Sequence, residues 1–219
     1  MMALAHRTSR AQGDRGAPDM ALPAGARAKL DAYLDLLAKW NRVYNLTAIR
    51  DRAQMESHHV ADALAVLAHL PNAVGLRVLD VGAGGGVPGI PLAIARPAWQ
   101  VVLVEANGKK ASFLTQAVIE LGLRNVTVAA SRIENYTSDA PFDVVISRAF
   151  ADLGTFASLA RAHVSAHGAI VAMKGAVPED EIAALPAGIV VTATPALAVP
   201  GLDAERHLVI MRATRQEET

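Results

Sequence analysis

From Pro71 onward the chain alternates between short apolar runs rich in β-branched residues and segments of helical spacing. The runs are Arg77–Val81, Gln100–Val104, Asn125–Ala129, Asp143–Ser147 and Ala169–Met173. Between them lie Ile90–Ala95, Lys109–Leu121, a turn at Arg132–Tyr136, and Ala151–His163. A strand apolar at nearly every position must be covered on both faces, and intervening helices supply that cover. The pattern predicts a parallel α/β sheet. Two later runs, Ile189–Thr194 and His207–Met211, are joined by a loop holding Pro195, Pro200 and Gly201. That loop is too short for a crossover helix, so the pair is expected antiparallel at one sheet edge.

Upstream, Leu30, Tyr33, Leu34, Leu37 and Val43 recur at helical spacing, and a second helix is expected from Arg52 to Leu70, stopped by Pro71. Residues 1–24 read as a mobile tail, 25–71 as an N-terminal helical extension and 72–219 as the main domain. With 52% apolar and 19% charged residues in 219, the chain has material for a large core, which excludes global disorder. No apolar stretch approaches the ~20 residues of a membrane span, and the first twenty residues lack the apolar stretch of a secretory signal. There is no cysteine, which removes disulfides, thiolate metal sites and thiol nucleophiles. A cytoplasmic protein is expected, working as a monomer without a metal or a membrane.

The densest local signal follows the first strand: Asp80-Val81-Gly82-Ala83-Gly84-Gly85-Gly86-Val87-Pro88-Gly89. Glycines at a strand–helix turn let a ligand approach the backbone closely. Two fingerprints overlap here. Gly84-x-Gly86-x-x-Gly89 fits the dinucleotide pattern. Asp80-x-Gly82-x-Gly84-x-Gly86 fits the acidic loop of S-adenosylmethionine enzymes. A pyrophosphate seeks a helix N-terminus free of anions, whereas a carboxylate such as Asp80 tolerates a cationic methionine moiety. Glu105 closes the next strand, where a carboxylate accepts hydrogen bonds from ribose hydroxyls in either cofactor class, although it would repel the 2′-phosphate of NADP.

Several further stretches carry a family resemblance: Lys39-Trp40-Asn41 with Asn45-Leu46-Thr47, His59-x-x-Asp62, and Val87-Pro88-Gly89-Ile90-Pro91. Lys109-Lys110-x-x-Phe113-Leu114, Ser131-Arg132-Ile133-Glu134, Phe142 to Phe150, and Lys174-Gly175 extend it. Over about residues 30–175 the chain resembles the ribosomal RNA small subunit methyltransferase G family, also called glucose-inhibited division protein B. The resemblance implies a Rossmann-like class I methyltransferase fold, seven-stranded and mostly parallel with an antiparallel last strand. It implies transfer of a methyl group from S-adenosyl-L-methionine to N7 of a guanine in the decoding region of 16S ribosomal RNA, with that RNA or the small ribosomal subunit as partner. By position, Gly82, Gly84 and Val87 fall on the cofactor loop, and Glu105 on the ribose. Ile133 and Glu134 then flank the adenine. Arg148 falls where the cofactor's methionine end and the target base meet.

Guanine N7 carries a free lone pair at neutral pH, so the reaction needs placement more than a general base. Arg148 and Lys174 are the cationic candidates for holding guanine O6 or a phosphate, and hence the catalytic candidates. The plainer alternatives are a salt bridge from Arg148 to Asp143 or Asp152 and an exposed loop lysine at 174. His59 and Asp62 share a helix face but lack further partners at metal-ligand spacing, so a structural histidine is expected. Trp40 is expected to pack. Residues 1–52 hold nine Lys/Arg against five Asp/Glu. Arg27, Lys29, Lys39, Arg42, Arg50, Arg52, Lys109 and Lys110 are expected to form a phosphate track. Three alternatives stay open: a nicotinamide-dependent oxidoreductase using the same glycines, a methyltransferase acting on a small molecule or a protein, or a non-catalytic cofactor-binding or scaffolding protein.

Overall fold

The computed structural model describes residues 22–150 and 152–214. Seven strands form one sheet: β1 (Arg77–Val81), β2 (Gln100–Val104), β3 (Val126–Ala129), β4 (Phe142–Arg148), β5 (Val164–Lys174), β6 (Ile189–Ala193) and β7 (His207–Ala213). Their spatial order is β3-β2-β1-β4-β5-β7-β6. The first five are parallel, and β7 runs antiparallel to both β5 and β6. Alternate residues of each central strand face opposite layers. Val78, Val144, Ile146 and Val171 enter one buried cluster, and Leu79, Val145, Ile170 and Ala172 enter the other.

Helix α1 (Ala26–Tyr44) buries Leu30, Tyr33, Leu34 and Leu37 in the first cluster, which continues from α1 into the sheet. The second helical run is a relay of α2 (Arg52–Met55), a π-helical turn (Glu56–Ala61), α3 (Asp62–Ala65) and a 3₁₀ turn (Val66–His69). The sequence spacing predicts one unbroken helix there; the π turn instead places both His58 and His59 in a widened ring, a geometry concentrated at functional sites. Helices α4 (Gly89–Ala95) and α5 (Gly108–Glu120) lie on the α1 side of the sheet, while α6 (Leu153–Ala160) covers the opposite face.

Several expectations need correction. β5 begins five residues earlier than its apolar run suggests, because Phe142 pairs with Val164 and a register shift between Phe142 and Val144 takes up the intervening residues, exposed Ala166 and His167 among them. α6 starts later, where the Asp152 side chain accepts the Thr155 N–H at 2.7 Å. A short helix α7 (Glu179–Ala183), which has no buried residue and hence no apolar period, is not signalled by sequence. Most of the tail at residues 1–24 lies outside the described residues. Among the described residues no helix is long and apolar enough to cross a membrane.

Candidate active site

The chain travels outward from β1 to β2 and β3, then returns to set β4 against the other side of β1. Such a reversal opens a crevice at the carboxyl ends of β1 and β4, the usual ligand position in open α/β sheets. The glycine loop stands at the end of β1, and Arg148 ends β4.

The loop is braced from beneath. Asp80 is fully buried, and its Oδ2 accepts the Gly89 N–H at 2.8 Å. Only glycine fits at 89, since a Cβ there would lie 2.3 Å from Leu103 Cδ2 and 2.7 Å from Asp80 Oδ2. Burial pushes the Asp80 carboxyl up to about 7, while the Gly89 hydrogen bond and Arg148 pull the other way. Asp80 thus braces the start of α4 through Oδ2, while its buried Oδ1 has no hydrogen-bond partner among the described residues. The Tyr33 hydroxyl, from α1, donates to the Gly85 carbonyl at 2.6 Å. Burial raises that hydroxyl's pKa, so it remains a donor.

Glu105 spans the gap between the β1 and β2 loops. Its Oε2 accepts the Gly84 N–H and its Oε1 accepts the Asn107 N–H, both at 2.8 Å. Each carboxylate oxygen keeps a further lone pair for a ligand. Gly82, Glu105, Ile133 and Glu134 all line one cavity of about 160 Å³, with Ser131 and Phe150. The Ser131 hydroxyl is buried there without a hydrogen-bond partner among the described residues. An orphaned polar atom beside a side-chain-free loop and an acceptor carboxylate fits an adenosine-bearing ligand. Val87 does not line this cavity; it is buried in the core beneath the loop.

Arg148 is likewise not brought to this cavity. It lines a second one of about 410 Å³, with Asp62, Ala149, Phe150, Lys174 and Arg206. That volume falls in the range of roughly 300–1,000 Å³ typical of small-molecule sites. Among the described residues, Phe150 alone lines both cavities. Arg148 bonds neither Asp143 nor Asp152. It donates to the His58 carbonyl at 2.7 Å, to Asp62 Oδ2 at 3.3 Å and to His59 Nδ1 at 3.2 Å. Arg206 Nε approaches the other Asp62 oxygen at 3.4 Å. Asp62 is 1% exposed; burial raises its carboxyl pKa, and the two guanidinium groups oppose that shift.

The His59 tautomer follows from its neighbours. Arg148 only donates, so Nδ1 accepts and the proton sits on Nε2, which donates to Thr47 Oγ1 at 3.1 Å. Burial and the adjacent Arg148 lower its pKa to about 4, keeping the ring neutral. Asn41 extends the chain of bonds, accepting the Thr47 N–H and donating to the Ile49 carbonyl. Lys174 pairs with Glu181 of α7 at 2.8 Å and is not an exposed loop residue. Ala149 adopts φ 57°, a left-handed conformation costing a non-glycine residue about 1 kcal/mol or more. Arg206 carries no motif in the sequence; only the insertion of β7 beside β5 brings it here.

The profile of the family described as rRNA small subunit methyltransferase G matches residues 26–209. The chain belongs to this family. A Ribosomal RNA small subunit methyltransferase G from Laribacter hongkongensis is 52% identical over 190 residues, spanning 87% of this chain and 90% of the relative. One from Azoarcus sp. is 53% identical over 190 residues, with 87% and 89% covered. Among solved structures, a mutant of MtNAS in complex with S-adenosylmethionine superposes with a TM-score of 0.58. It covers 87% of this chain and 76% of its own at 17% identity, a likeness of fold alone. The methyltransferase therefore modifies small-subunit ribosomal RNA, and its cofactor is S-adenosyl-L-methionine. The oxidoreductase and the small-molecule or protein methyltransferase alternatives are not favoured.

Proposed function

We propose that this methyltransferase methylates N7 of a guanine in the decoding region of 16S ribosomal RNA, acting on the small subunit as a cytoplasmic monomer. In this reading residues 72–219 carry the cofactor, and 25–71 form a helical extension that closes over it. The observation that carries the reading is the pair of cavities at the switch point, with Phe150 lining both. One suits a nucleoside; the other suits a neutral base.

Charge decides the second assignment. Arg148 and Arg206 are both paired with Asp62, and Lys174 with Glu181. Three cations against two carboxylates leave a single net positive charge, shared by two guanidinium groups, and many N–H donors. Arg148 still has two uncommitted donors, enough to hold guanine O6 while N7 stays unprotonated and free to attack. Lys174 and Arg206 complete the donor wall. When bound, S-adenosyl-L-methionine supplies a methyl group on positively charged sulfur. Gly82 and Gly84 approach that ligand with backbone, Val87 backs the loop, Glu105 accepts from the ribose, and Ile133 with Glu134 flanks the adenine. The remaining task is alignment.

The test is primer extension after reductive cleavage at N7-methylguanine. Ribosomes from cells with the gene should show a stop in the decoding region of 16S RNA, absent without it and restored by the wild-type chain. An unchanged pattern on deletion would overturn the proposal.

A further inference from the structure

The geometry points to a strand-binding surface at the exposed end of α1 and the first turn of α5, on which single-stranded RNA beside the target nucleotide lies. This inference rests on the reading of RNA as substrate and assigns residues to holding it.

Two of the acid-free segments of the chain, 36–50 and 106–119, also concentrate basic residues. They carry Lys39, Arg42, Arg50, Lys109 and Lys110. The fold brings them together: Trp40 of α1 meets Phe113 of α5 edge-on, with ring centroids 5.7 Å apart. Lys110 lies one turn before Phe113, on the same helix face. Among the described residues none of these five cations pairs with a carboxylate. The expected phosphate track is thereby divided. Arg27 is tied to Asp31 and Glu56, and Arg52 to Asp31, Asp35 and Glu56. Both are spent on joining α1 to α2 and the π-helical turn that follows it.

The first turn of α5 holds two lysines and no acid, the reverse of what a helix dipole favours. A negatively charged partner removes that local cost. The same surface exposes Val43 at 69% and Tyr44 at 41%. The Tyr44 ring is held 5.2 Å from Trp40, a stiff platform on which an unstacked base can lie. Free cations beside an aromatic platform match a single strand better than a duplex, whose bases are already stacked. The surface also adjoins the site. Leu37 and the Leu46 carbonyl lie next to Gly85 of the loop, where an added Cβ would meet them, and Asn107, which caps α5, bonds Glu105.

The test measures binding of small ribosomal subunits, isolated from cells lacking this gene, between 50 and 200 mM salt (roughly the range over which phosphate contacts are lost). The variant Lys39→Ala/Arg42→Ala/Lys109→Ala/Lys110→Ala should bind at least about tenfold more weakly, with the salt slope shallower by about 2 to 3. Tyr44→Ala should lose about tenfold and Tyr44→Phe should recover it. Arg212→Ala, which removes an exposed charge from β7, far across the sheet from α5 and β3, should change affinity by less than about twofold. Calorimetry with S-adenosylhomocysteine checks that each variant keeps its fold. A wild-type slope in the fourfold variant, or an equal loss in the control, overturns the surface. Wild-type methylation at N7 alongside that result leaves the reaction standing; tight, salt-dependent binding without any N7 methylation leaves the surface standing and removes the reaction.

Discussion

Arg148 and Asp62 lie 86 residues apart in the chain and 3.3 Å apart in the fold. The pair ties the N-terminal helices to the end of β4, and Asp62 holds Arg206 as well. Removing one partner of a buried pair strands the other's charge. Asp62→Ala should destabilise the protein by about 3–5 kcal/mol. The readout is a urea titration with a lower midpoint and an unchanged slope. A loss below about 1 kcal/mol would mean that water already solvates both arginines.

Glu105 is occupied on both oxygens by backbone N–H groups even before a ligand arrives. Glu105→Gln should therefore hurt twice, because its amide nitrogen would confront either the Gly84 or the Asn107 donor. We expect S-adenosylhomocysteine affinity to fall by about 1.5–3 kcal/mol, as for hydrogen bonds to a charged group. Isothermal calorimetry decides it. Equal affinity in wild type and variant would remove Glu105 from the ribose.

Local order made part of this site legible. Gly82, Glu105, Ile133 and Glu134 follow successive strands of one half-sheet, so reading the strands in turn brings them to one cavity. β1 and β2 have the bounds their apolar runs predict, since sharp turns delimit both. What depended on distant pairing was not legible. Nothing near Arg148 announces Asp62, and Arg206 reaches the second cavity only through the antiparallel insertion of β7. The burial of Asp80 was readable: strand alternation puts it on the face of Val78, into the α4 layer.

Asp80 and His59 should set opposing pH dependences. Asp80 binds its proton more tightly folded than unfolded, so its contribution falls as pH rises from about 4 to about 7. His59 binds its proton more weakly when folded, so its contribution is lost as pH falls from about 6.5 to about 4. In wild type the two slopes largely offset. Asp80→Asn should leave a protein whose stability drops steadily on acidification across that window, and His59→Gln one whose stability drops as pH rises. The change across the window is at most about 4 kcal/mol for Asp80. Chemical denaturation at half-unit pH steps tests both, and parallel curves for the two variants would refute the pairing.

Two glycines at helix starts, Gly89 of α4 and Gly108 of α5, should respond to alanine in opposite ways. At Gly89 the new methyl group would meet Leu103 and Asp80 far inside contact distance. Leu103 is fully buried, so neither neighbour has room to withdraw. Overpacking of this kind costs about 1–3 kcal/mol, and the displaced Asp80 would also lose its bond to the Gly89 N–H. Gly89→Ala should thus lower stability by at least about 2 kcal/mol and weaken cofactor binding. At Gly108, the first residue of α5, a methyl group meets nothing within 4 Å, and no positive φ is required. Alanine is the better helix former there, so Gly108→Ala should be neutral or stabilising by about 0.5–1 kcal/mol. Paired thermal unfolding curves give the comparison. A Gly89→Ala protein as stable as the Gly108→Ala protein would show that the loop relaxes around Asp80, and the brace assigned to that carboxyl would fall.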